Sequence, residues 1–214
     1  MNEIIDIRRP IGARKAGWAH WSARKLAEAG VTPNRISIAS MVFAAVGAAA
    51  LALTGPSNGG LQIALLILAI IGIQGRLLCN LFDGMVAVEH GSAGKDGAFW
   101  NEFPDRVSDF LLLMGAGLAC GSLALGLAAS AVAIFVAYVR ELGRATGLPA
   151  DFGGPMAKQH RMAVLTGAAV LAMLEPVWGG SGEVMFAALA LILAGSVLTI
   201  LLRARRLIAG LKRR

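Results

Sequence analysis

The sequence predicts an all-α integral membrane protein of six transmembrane helices preceded by an N-terminal interfacial amphipathic helix. Three observations predict it. Of the 214 residues, 57% are hydrophobic and only 15% are charged, against a charged share of about 25% in soluble domains. The mean hydropathy of +0.68 leaves more apolar surface than so few charges cover, so lipid must cover the rest. The apolar residues also fall in long continuous runs, not alternating ones. That pattern selects helices over closed barrels, the two structures that satisfy every backbone polar group inside lipid.

The elements follow in chain order. The first 35 residues carry seven basic side chains and no apolar stretch of the kind a cleavable signal peptide needs. Within them, 13–28 reads as a helix bearing Trp18 and Trp21 among Arg14, Lys15, Arg24 and Lys25, a mixture suited to the headgroup boundary. Thr32 and Pro33 then start the next helix, the threonine as cap and the proline in the first turn, where its missing donor costs nothing. Six apolar runs follow, at 36–54, 61–73, 110–120, 123–138, 162–174 and 184–202. The second, third and fifth fall short of the roughly 20 residues a span requires, so each must continue into a polar stretch facing protein or water. This divides the chain into an N-terminal segment 1–35, a six-helix domain 36–202 and a basic tail 203–214.

Charge sets the topology. The connections 55–60, 121–122 and 175–183 hold no lysine or arginine, and all 20 basic residues lie on the other side. Basic residues mark the cytoplasmic face, which puts both termini and both long polar loops there. A net charge of +7 and a pI of about 10.3 would suggest nucleic acid in a soluble chain. With the basic residues flanking apolar runs, membrane lipids are the expected partner and nucleic acid is not. Cys79 and Cys120 stand singly and are expected to pack as small apolar residues. Gly117 and Gly121 form a G-x-x-x-G pair of the type found on homodimer faces.

The chemistry lies between the second and third runs. Asn80 and Asp83 are three apart and Asn101, Asp105 and Asp109 are spaced by four, so on helices each set shares a face. Two helices meeting there bring five oxygen-bearing side chains together at the membrane edge. Carboxylates so placed repel without a cation, and hard divalent ions such as Mg²⁺ take carboxylate and amide oxygens. Asp96 and Glu102 lie off these faces and are expected to be ordinary surface charges; Glu89 and His90 stand nearby with no partner that singles them out. A second polar group, Arg140, Arg144, Lys158, His160 and Arg161, surrounds the turn-rich 148–155, forming a basic pocket suited to phosphate.

These residues resemble the CDP-alcohol phosphotransferases, whose signature is D-x-x-D-G-x-x-A-R, eight residues, then G-x-x-x-D-x-x-x-D. All spacings hold. Asp83, Gly84, Ala87, Gly97 and Asp105 agree, while Asn80 and Asn101 replace two acids and Val88 replaces the arginine. The resemblance implies transfer of a phosphatidyl group from a CDP-linked lipid such as CDP-diacylglycerol to an alcohol, with release of CMP and with Mg²⁺ or Mn²⁺ as cofactor. It implies metal ligands at Asn80, Asp83, Asn101 and Asp105, with Asp105 also the candidate base. It further implies nucleotide approach at Gly84, Ala87 and Gly97, and acceptor-phosphate binding at Arg140, Arg144, Lys158 and Arg161. The last group suggests a phosphorylated polyol such as glycerol 3-phosphate or inositol phosphate. Two amides cut the formal charge of the four ligand positions from −4 to −2, and Asp109, on the same face, is expected to restore part of it as a further ligand. The alternatives are a relative that binds CDP-lipid without turnover, and a small transporter. The transporter is disfavoured because the acids sit at one membrane edge only.

Overall fold

The computed structural model describes residues 16–55, 57–89 and 96–213, and among them every regular element is helical. Residues 13–15 of the expected first helix, His90 and Lys95 lie outside the described residues, as do the side chains of Val88 and Glu89. The helices are α1 (Gly17–Glu28), α2 (Pro33–Thr54), α3 (Gly59–Glu89), α4 (Gly97–Ala119), α5 (Leu123–Ala145), α6 (Lys158–Ala172) and α7 (Glu183–Lys212). A short 3-10 turn, Glu175–Val177, separates the last two. Helices α2, α5 and α7, together with Gly59–Ala87 of α3, are long and apolar enough to cross a membrane. The chain therefore reads as an integral membrane protein.

The helix starts and stops have local causes. Thr32 accepts a hydrogen bond from the Arg35 backbone N–H and Pro33 occupies the first turn of α2, as the sequence indicates. The short apolar runs do continue into polar stretches: α3 extends through Arg76, Asn80 and Asp83, and α4 begins well before its apolar half. With 31 residues α3 is about 46 Å long, longer than a hydrocarbon core of about 30 Å, so its polar end emerges at one end of the bundle. Residues 203–212, expected as a tail, instead complete α7.

Packing is ordered around a ring rather than by chain sequence. Helix α2 packs on both α3 and α4, α4 on α5, α5 on α7, α7 on α6, and α6 back on α3. The core is rich in alanine, including Ala44, Ala48, Ala116, Ala129 and Ala169. Small residues suit a bundle in lipid, where close contact and not water exclusion drives association. At the α2–α3 crossing, a Cβ on Gly72 would lie 2.6 Å from Gly47 Cα. Gly117 likewise abuts Gly126 of α5, and Gly121 turns the α4–α5 hairpin at φ +65°. Gly117 thus serves a contact within the chain, while Gly121 is exposed. Cys79 and Cys120 are free and half-buried. Helix α1 buries Ala19 and Ala23 against Leu81, Met85 and Val86 of α3, while Trp18 and Trp21 remain exposed.

Candidate active site

The ends of α2 to α7 that carry the polar residues enclose a cavity of about 600 Å³. Asn80 and Asp83 enter it from the last turns of α3, and Asn101 and Asp105 from the first turns of α4. Gly84, Ala87 and Gly97 line the same side, and a Cβ built on Gly97 meets nothing within 4 Å. Space beside that backbone is therefore open to a ligand. Arg140, Arg144, Lys158 and Arg161 line the cavity from α5 and α6. Every site residue expected from the sequence except Asp109 thus borders one space. His160 is exposed and does not line it.

Asp109 departs from expectation. Its carboxylate is buried between Arg76 and Arg161, with each guanidinium donating at 2.6 Å to a different oxygen. Both oxygens are engaged by guanidiniums and the residue does not line the cavity, so it lies in the floor and not among the side chains that face the space. Arg76 is completely buried and also lies 3.5 Å from Asp105. The Arg161 guanidinium further donates to the Met156 carbonyl at 3.0 Å.

Asp105, one helical turn nearer the cavity mouth, shares the longer Arg76 contact but has two closer partners of its own. The Asn80 amide donates to its Oδ1 at 2.7 Å, and the Lys158 ammonium donates to its Oδ2 at 2.6 Å. Asp83 accepts from the Ser37 hydroxyl at 3.1 Å and from the Gly84 N–H at 2.5 Å. The Asn101 amide donates to Glu102 at 3.2 Å.

Glu102 is not an ordinary surface charge. It lines the cavity and accepts from Arg106 at 2.5 Å and from Arg140. Arg140 and Arg144 in turn each donate to Glu141 at 2.9 Å. The basic wall is therefore a ladder, Arg106–Glu102–Arg140–Glu141–Arg144, and not a set of free cations. Arg140 also lies over the Phe152 ring at 5.5 Å. Asp96, outside the cavity, accepts from Asn34 and Trp100.

Sequence reasoning missed Ser37, Arg76 and Arg203. The last is buried, donating to the Val136 and Gly153 carbonyls at 2.8 and 2.9 Å. With Arg206 on Asp151 and Thr199 on the Met156 N–H, it ties the connection before α6 to α7. One signal was available: an ionisable side chain inside an apolar run needs an intramembrane partner, and Arg76 and Asp109 were each other's candidates.

The donor set fits a hard divalent ion in part. Asp83 and the carboxamide oxygens of Asn80 and Asn101 are the oxygen ligands such an ion prefers. The Asn80 Oδ1 atom is buried without a hydrogen-bond donor among the described residues. No group of three or more His, Cys, Asp or Glu placed to hold a metal ion occurs among those residues, so amide oxygens, water or substrate phosphate would complete the coordination.

This arrangement of helices is shared with the solved structure of a phospholipid-related synthase. That enzyme is the phosphatidylinositol phosphate synthase of Mycobacterium tuberculosis. Its structure with CDP-DAG bound matches with a TM-score of 0.73 and 21% identity, covering 90% of this chain and 94% of that one. Its complex with manganese and citrate matches at 0.70 and 23%, covering 88% of each chain. The apo form matches at 0.67 and 21%, covering 86% of this chain and 92% of that one. No family model and no curated protein matches the sequence. The likeness establishes the shared fold.

Proposed function

We propose that this chain is a CDP-alcohol phosphatidyltransferase that moves a phosphatidyl group from CDP-diacylglycerol to an alcohol and releases CMP. The observation that carries this is the convergence of Asn80, Asp83, Gly84, Ala87, Gly97, Asn101 and Asp105 on one cavity, in the fold of an enzyme whose structure holds CDP-DAG. In this reading helices α2 to α7 span the bilayer, with the shorter α6 extended by the turn that follows it, α1 lies in the interface, and both termini and the cavity face the cytoplasm. Residues 36–202 form the body of the catalytic domain, with α7 running on beyond it.

The residues divide the work. Gly97 leaves room for the nucleotide beside the backbone. Asp105 takes the proton of the acceptor hydroxyl as that oxygen forms its bond to the phosphorus bearing diacylglycerol, and the bond from that phosphorus to CMP breaks. Asn80 and Lys158 hold the Asp105 carboxylate in place. Asp83, Asn80 and Asn101 would hold a divalent ion, Mg²⁺ or Mn²⁺, which would supply charge neutralisation at the diphosphate. The Arg106–Glu102–Arg140–Glu141–Arg144 ladder receives the acceptor. Three guanidiniums against two carboxylates favour an anionic one, a phosphorylated polyol whose phosphate displaces Glu102 from Arg140.

The second reading is a relative that binds CDP-lipid without turnover, favoured by Asn80 donating to Asp105 where a second acid would ligate a cation. CMP release by purified protein with CDP-diacylglycerol, Mg²⁺ or Mn²⁺ and a panel of acceptors separates the two. Release that depends on glycerol 3-phosphate or inositol phosphate, and falls about 100-fold in Asp105→Ala, supports transfer. Release only with unphosphorylated alcohols keeps the transferase and removes the phosphate-binding role of the ladder. No release from folded protein with any acceptor favours the binding-only relative.

A further inference from the structure

The amide at position 80 and the ammonium at position 158 act together on one carboxylate. Asp105 has Asn80 Nδ2 on one oxygen at 2.7 Å and Lys158 Nζ on the other at 2.6 Å. The second is a charge-assisted bond of full strength, and the Lys158 side chain is only 26% exposed, so water screens it little. Because the Asn80 nitrogen faces Asp105, its oxygen faces elsewhere. That oxygen is buried and has no donor among the described residues. A buried acceptor left unpaired is costly, and a carboxamide oxygen in that condition is a ready ligand for a hard cation. Asp83 lies three residues further along the same helix face and makes no ion pair among the described residues, its partners being a hydroxyl and a backbone N–H.

We infer that Lys158 is a built-in cation of the cavity, occupying the Asp105 carboxylate that a metal ion would otherwise hold, so that the chain binds a single divalent ion at Asp83, Asn80 Oδ1 and Asn101. The charges agree with that count. With Arg76 also 3.5 Å from Asp105, the carboxylates of Asp83, Asp105 and Asp109 against Lys158, Arg76 and Arg161 leave no net charge, so one divalent ion already makes the group positive and a second would meet that positive field. The inference deepens the transferase reading and rests on it for the use of these charges, but ion counting needs no turnover, so the two can fail separately.

The test is the number of Mn²⁺ ions bound per chain, read from the electron paramagnetic resonance of free Mn²⁺ with the full chain in detergent and no substrate. One ion is expected for the unaltered protein and for Lys158→Arg. Lys158→Met frees Asp105 Oδ2 and is expected to take up a second ion or to hold the first at least tenfold more tightly. Asp83→Asn is expected to lose the ion. Two ions, or none, in the unaltered protein would overturn the inference. So would a Lys158→Met protein that unfolds at the normal temperature yet titrates like the parent. If Lys158→Met does not fold, the count for the unaltered chain decides: one supports, two overturns.

Discussion

The floor of the cavity and its rim hold carboxylates one helical turn apart on α4, yet they hold them in opposite ways. On the floor, Asp109 is enclosed by Arg76 and Arg161, each no more than 1% exposed. At the rim, Asp105 meets Asn80 and Lys158, and the Lys158 side chain is 26% exposed where that of Arg161 is 1%. A charge pair with no access to solvent cannot trade partners without leaving an ion stranded, so the floor fixes geometry. A pair on a cavity wall can open when a ligand brings its own charge. The difference teaches where to look for chemistry: in the ion pairs that a substrate can interrupt.

That contrast can be broken from either side. Asp109→Ala strands two buried guanidiniums and is expected to cost about 3–5 kcal/mol of stability, seen as a large fall in thermal unfolding temperature in detergent. Asp105→Ala is expected to lower CMP release by about 100-fold, the scale of a lost general base, with a much smaller fall in unfolding temperature. Equal stability losses in the two variants would erase the distinction. Ser37→Ala removes the hydroxyl from Asp83 and is expected to cost about 1 kcal/mol and to weaken Mn²⁺ binding several-fold. The smallest effect is expected at the opposite end of the bundle. There the buried Glu175 carboxylate accepts from the Gly182 and Val184 N–H groups at the start of α7. Glu175→Gln is expected to cost about 1 kcal/mol, in the range of helix-cap changes, with CMP release unchanged. A drop in release would mean the two ends are coupled.

The face-sharing of Asn80 with Asp83, and of Asn101 with Asp105, was legible because helical spacing alone determines it. So were the cap at Thr32 and the extension of short apolar runs into polar ones. The fate of Asp109 was not, because its spacing matches that of Asp105 and only partners 33 and 52 residues away on other helices distinguish the two. The same holds for Glu102, which lies off the acidic face but meets Arg140 38 residues away across the α4–α5 contact. Arg203 looked like one more basic residue of a tail because nothing local marks the carbonyls it binds on α5 and before α6. Spacing gives direction around a helix; it does not give the neighbour.

Helix α3 carries its packing surface and its ligand side chains on one stripe. Gly72 abuts Gly47, the Phe43 ring lies against Gly75, and Asp83 is bonded to Ser37, all on α2. From Gly72 to Asp83 the helix advances 11 residues, within about 20° of three full turns at 3.6 residues per turn. Insertion or deletion of one residue between them would swing the carboxylate about 100° away from Ser37 while the glycine crossing stayed in place. The loops of such a protein can lengthen or shorten over generations, whereas this stretch of α3 tolerates changes of residue type but not of length.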